Sequence, residues 1–204
     1  MKMNVGLSML LVGAPLFLFG VSQADAQARR VTSTAAKGKE GGVIKIKMKD
    51  PTGPNAKVRT PEFKNDANES QAQAEYWACV TVQYDTDAEW IDELEFRYMV
   101  VVKKSNTKDF IMFPCIVTYI DIPKGKRHTS TVFLRPNTLE RNGAVVWAGV
   151  KVYLKGEQVA VAQMPDDKRP WTINYKTKEG VLLNRSQTPF ALVAIDNYEA
   201  IKPK

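Results

Sequence analysis

His128 is the one histidine in 204 residues, so any chemistry that needs an imidazole base must run through it. No nucleophile-elbow motif accompanies it. It follows Arg127 at the start of a β-branched run and reads as an exposed strand-end residue. Cys79 and Cys115 both sit in strand-like segments. In an oxidising compartment an even pair points to one disulfide, with two buried thiols as the alternative. Neither cysteine joins His128 in a zinc-ligand spacing. Asp85-x-Asp87-x-Glu89, with Asp92 near it, offers oxygen ligands to calcium. It lacks the glycine and final glutamate of the helix-loop-helix pattern and reads as a solvated acidic turn. Trp77, Trp90, Trp147 and Trp171 remain. Indoles on a sheet face can stack on sugar rings, although tryptophan more often serves a core or an interface. This inventory points away from an enzyme and from any metal or cofactor, and towards a binding protein.

The elements that must carry these residues are mostly strands. Ile44, Ile46 and Met48 alternate with Lys45, Lys47 and Lys49, the pattern of a sheet with one wet face. Glu75–Tyr84 and Ile91–Lys103 read as two strands joined by an acidic turn at Asp85–Glu89. Asp109–Ile122 and His128–Leu134 read as two more, joined by a turn at Pro123–Lys126; Pro114 argues for an edge or a bulge in the first of them. Pro136–Gly143 is a crossover with room for a helical turn. Ala144–Met164 is a hairpin turning at Lys155–Gln158, with Val146, Val150 and Val152 on its buried face. Beyond Pro165 the pattern loosens, with short strands expected at Trp171–Lys176 and Gly180–Asn184. Thr188-Pro189 looks like a helix start, and Phe190, Val193, Ala194, Asn197, Tyr198 and Ile201 follow at helical spacing, so a short C-terminal helix is expected, with a final strand as the alternative. Seven to nine strands without alternating βα units indicate a mainly β chain, an immunoglobulin-like antiparallel β-sandwich. A barrel is the second choice.

Compartment is legible at the N-terminus. Lys2, the uncharged apolar run Leu7–Val21 and Ala24-Asp25-Ala26 have the form of a signal peptide, residues 1–26, cleaved before Gln27. Residues 27–42 are small, polar and basic and are expected to be flexible. Residues 43–204 then form a single β-sandwich domain with a C-terminal extension, exported to the periplasm, the outer surface or the medium, with no membrane span after cleavage. The net charge of +7 comes from 29 Lys and Arg against 22 Asp and Glu. The positive residues are scattered, as on the solvated faces of edge strands, so no nucleic-acid partner is expected.

One stretch carries a likeness. Ser186-Gln187-Thr188-Pro189-Phe190, followed by Asp196-x-Tyr198-Glu199 within Val181–Lys202, resembles small exported immunoglobulin-like proteins of Verrucomicrobia encoded near a type IV pilus and secretin-like cluster. The resemblance implies a non-catalytic surface or periplasmic domain, accessory to a pilus or envelope assembly or to host interaction, with protein partners. It carries no functional residue across. Strand addition at an exposed edge, either Val43–Lys49 or the 110–122 segment, would suit such a role. The alternative is a carbohydrate-binding module for mucin-like glycans. A homo-oligomer is compatible with either.

Overall fold

The computed structural model describes residues 45–61, 75–104 and 107–203. The expected signal peptide and the 27–42 segment lie outside them, as does most of Lys57–Ala74, whose polar, irregular composition predicts a long loop. The chain is mainly β: β1 (Lys45–Met48), β2 (Lys57–Arg59), β3 (Tyr76–Lys103), β4 (Phe110–Leu134), α1 (Pro136–Asn142), β5 (Ala144–Leu154), β6 (Glu157–Met164), β7 (Lys176–Thr177), β8 (Leu183–Asn184) and β9 (Ala200–Ile201). Among the described residues the nine strands form one sheet in the order β6-β5-β3-β4-β7. β1 and β2 add to β3, and β8 and β9 add to β4.

β3 and β4 are the spine, at 28 and 25 residues. The turns expected at Asp85–Glu89 and Pro123–Lys126 do not form. At those positions the two strands stay paired across register shifts, with Thr86 opposite Gly125 and Trp90 opposite Pro123. The Thr86 hydroxyl takes over where the regular ladder lapses: Oγ1 donates to Pro123 O at 2.8 Å and accepts Gly125 N–H at 3.0 Å. Asp121 and Arg127, at φ 54° and 63°, flank the same bulge on β4. Gly125 is needed there because a Cβ would stand 2.6 Å from His128 Nε2.

The irregularity folds the sheet over on itself. Tyr98 Oη donates to Ser130 Oγ at 2.7 Å. Ser130 pairs with Val82, and Val82 and Tyr98 are sixteen positions apart on β3, a span of roughly 50 Å in a straight strand. The contact therefore requires the two halves of the β3–β4 ribbon to face each other. One half carries β1, β2 and β8; the other carries β5, β6, β7 and β9. This is a sandwich whose two layers share their central strands, the bulges making the corners.

The core lies between the layers. It takes Val80, Val82 and Tyr84 from the first half of β3 and Leu94, Phe96, Tyr98 and Val100 from the second. Phe113, Val117 and Tyr119 of β4 and Ala148, Val150 and Val152 of β5 complete it. The alternation of Ile46 and Met48 against Lys45 and Lys47 appears as read from the sequence. So does the β5–β6 hairpin, except at Val146. A bulge between the pairs Val101–Trp147 and Val102–Val145 shifts the phase, so Val145 is buried and Val146 is half-buried. A smaller cluster covers the outer face of the first layer: Trp77, Phe133, Leu183 and Phe190.

The C-terminal helix does not form. Arg185–Gln187 and Ile195–Asn197 are single 3-10 turns, and the last strand among the described residues is β9. Phe190 is drawn inward against Phe133 (centroids 4.9 Å apart) and Trp77 (5.6 Å), which overrides the helical spacing. Trp171 likewise closes a 3-10 turn, Arg169–Trp171, and of the strand expected at Trp171–Lys176 only Lys176 pairs, in β7. Among the described residues no helix is long and apolar enough to cross a membrane.

Candidate functional site

His128 is not an exposed strand-end residue. Its side chain is 10% exposed and stacks on the Tyr84 ring at 5.2 Å. Nδ1 meets Glu199 Oε1, and Nε2 lies 3.2 Å from Thr86 Oγ1. Hydroxyl, imidazole and carboxylate thus line up as in a hydrolase, but Thr86 as a whole is only 2% exposed and its hydroxyl proton is directed to Pro123 O. In effect the row ties the bulge to the C-terminal segment, because Glu199 directly precedes β9. Tyr84 Oη and Glu199 Oε2 are buried beside it, facing each other's charge and dipole. Burial first, and the Glu199 charge second, push the Tyr84 phenol far above its usual range. Tyr98 and Tyr119 both donate to Ser130 Oγ, at 2.7 and 2.9 Å. Burial raises both phenols, Tyr119 to about 12.

The cysteines do not form a disulfide. Cys79 packs against the outer cluster around Trp77, whereas Cys115 packs against the main core. They lie on opposite faces of the folded ribbon, so no bridge geometry exists. Burial pushes the Cys79 thiol up, with Lys49 opposing it. The acidic run is not a turn, and among the described residues no three His, Cys, Asp or Glu side chains converge as a metal site would need. Asp85 Oδ1 instead accepts Arg127 N–H at 2.9 Å.

The four tryptophans part company. Trp77 is buried and its Nε1 donates to Thr60 Oγ1 at 3.0 Å. Trp147 is buried and donates to Asp167 O at 3.0 Å. Trp171 packs edge-on to Trp147 at 5.1 Å, donates to Gln163 Oε1 and carries Lys151 Nζ 4.8 Å above its ring. Trp90 is 64% exposed. It stands at the corner of the ribbon, on the rim of a cleft of about 440 Å³ that also takes in Glu93, Glu95, Arg97, Tyr153 and Lys155.

The second opening is a groove of about 490 Å³ along the outer edge of β4, between Pro114–Thr118, Leu182–Leu183, Ile201 and Pro203. Lys178 N–H binds Met112 O and Lys202 N–H binds Thr118 O, so even-numbered residues turn their backbone groups away from β3. That explains Pro114: its missing N–H falls on the side that β3 does not use. β7 and β9 cover β4 on either side of this stretch, and Ile116 is 55% exposed in the gap. Of the edges read from the sequence, the 110–122 segment is therefore open only in part.

The C-terminal motif builds one further feature that periodicity could not reveal. Asn184 and Gln187 form a capping box. Arg185, buried, donates to Ala191 O at 3.0 Å and lies 4.4 Å over the Tyr198 ring. Ala191, Val193, Asn197 and Tyr198 each donate N–H to a carbonyl three residues back. The loop between is thus pinned, yet Leu192, Val193 and Ile195 are 83%, 47% and 49% exposed. The apolar spacing was visible in the sequence; its outward direction depends on Phe190 and Arg185 docking first.

A protein-family model matches residues 38–204. The chain belongs to that family. A crystal structure of a protein from Akkermansia muciniphila superposes with a TM-score of 0.66 at 20% identity, over 85% of this chain and 99% of that one. The two share the fold, and the organism falls in Verrucomicrobia, the group to which the C-terminal resemblance pointed. No curated protein matches.

Proposed function

We propose that the chain is a non-catalytic, exported binding domain that works by protein–protein contact, as an accessory of a pilus or another envelope assembly. The observation that carries this reading is the apolar loop Ala191–Ile195. A protein seldom fixes successive turns with four backbone hydrogen bonds merely to hold Leu192, Val193 and Ile195 in water. A pinned loop loses little entropy on docking and suits a hydrophobic anchor. The groove beside Ile116 adds an edge that an extended partner segment can join. The sealed Thr86 hydroxyl supports the non-catalytic part of the reading.

The test is binding of the purified domain to purified pilus and secretin components of its own organism, by biolayer interferometry. Leu192→Lys with Ile195→Lys should abolish binding while leaving the melting temperature within a few degrees, because the changed side chains are exposed. Absence of binding to every component, or undiminished binding by the double variant, refutes the proposal.

A further inference from the structure

Trp90 is set apart from the other tryptophans by what it does not do. Trp77, Trp147 and Trp171 each give their indole N–H to a protein acceptor and pack on another ring. Trp90 keeps most of its surface in water, although it sits within a paired strand, opposite Pro123 at the corner of the ribbon. Across the same cleft stands Tyr153, whose ring is held by the Arg97 guanidinium at 4.2 Å. Arg97 is itself fixed by Glu95, Nε to Oε1 at 2.5 Å, and Glu93 is paired with Lys202 Nζ.

From these placements we infer that the Trp90 cleft is a binding site for neutral glycans, one pyranose stacking on the indole. The apolar C–H face of a pyranose matches an exposed indole. Its vicinal hydroxyls match carboxylates and a guanidinium, which take and give paired hydrogen bonds. A volume of about 440 Å³ lies within the range of small-ligand sites. Charge selects the neutral class. Asp92, Glu93 and Glu95 face Arg97 and Lys155 in the lining, and Lys202 neutralises Glu93 from outside it. The cleft therefore offers no surplus positive charge to a sialylated or sulfated chain or to a phosphate backbone.

The test uses the exported domain labelled with 5-fluorotryptophan and titrated with lactose, chitobiose, cellobiose and 3′-sialyllactose, followed by fluorine NMR and by saturation-transfer difference. At least one neutral disaccharide should shift the Trp90 resonance and leave those of Trp77 and Trp147 in place. Trp90→Ala should weaken binding about tenfold or more, Glu95→Gln should weaken it less, and Trp171→Ala should leave it unchanged. The wild-type spectrum reads the site without any substitution, so a poorly folded variant does not cloud the outcome. No shift with any neutral disaccharide, a shift at another tryptophan instead, undiminished binding by Trp90→Ala, or a preference for the sialylated probe overturns the inference.

Discussion

Ser130→Ala should be far more damaging than the loss of one small hydroxyl suggests, and a second substitution should partly repair it. Ser130 Oγ accepts from Tyr98 Oη at 2.7 Å and from Tyr119 Oη at 2.9 Å, and all three residues are at most 2% exposed. Alanine strands two buried phenol donors. Each stranded group costs about 1–3 kcal/mol, so the sum lies around 4 kcal/mol, or about 10 °C in melting temperature for a chain of this size. Tyr98→Phe removes one donor and leaves Ser130 with Tyr119, which costs about 1 kcal/mol. The informative protein is the double variant. Once Ser130 is alanine, Tyr98→Phe removes an orphan rather than a bond, so the double variant should be more stable than Ser130→Ala alone. Urea denaturation of the four proteins, with unchanged slopes, measures the cycle. A Ser130→Ala cost below about 1 kcal/mol, or simple additivity in the double variant, would refute the reasoning. Either result would mean that the phenols do not depend on Ser130 to join the two layers.

Three other outcomes are expected. Tyr84, Tyr98 and Tyr119, of seven tyrosines, hold their protons above the usual range. The unfolded chain releases such protons near pH 10, so the folded state binds more of them there and stability falls as pH rises from about 10 towards 12. Tyrosinate absorbance should show a late step coincident with unfolding, and titration of all seven near pH 10 with intact circular dichroism would contradict this. Because no disulfide joins Cys79 and Cys115, reductant should leave the melting temperature unchanged, and a thiol reagent should count two thiols in denaturant; a reductant-dependent drop would show a bridge. Gly149→Ala places a Cβ 2.4 Å from Trp147 Cη2 and 2.5 Å from Trp171 Cζ2. Displacing those rings should cost about 1–3 kcal/mol, and an unaltered melting curve would show that the rings are not packed as described.

Where a residue's burial followed from its neighbours in sequence, the sequence was readable. Ile46 and Met48 against their lysines, the Ala144–Met164 hairpin and the helix at Pro136–Asn142 are of this kind. Where a distant residue decided the outcome, it was not. Asp85–Glu89 has turn composition, but Thr86 completes the ladder with Pro123 and Gly125, so the strand runs on. Val146 loses its place on the buried face to a bulge whose partner strand is β3. Phe190–Tyr198 has helical spacing, but Trp77 and Phe133, far back in the chain, claim Phe190. The candidate residues divide in the same way. Their types were evident, whereas Glu199 reaching His128 and Trp90 standing alone at the corner are products of the folded ribbon.

Sharing β3 and β4 between the two layers also has a consequence for the order in which the protein assembles. In a Greek-key sandwich the layers are joined by loops, and pairing must wait for distant strands to meet. Here the longest ladder closes outward from one short connection between Lys103 and Phe110, so most of its pairs form by zipping, each at a small entropic cost once its neighbour is in place. Folding over at the Thr86 bulge can then bring Tyr98 to Ser130 as a late, single event. The C-terminal strands β7, β8 and β9 bind β4 alone, so they should be the last to lock and the first to exchange their amide protons. The apolar loop Ala191–Ile195 lies between two of these strands, β8 and β9.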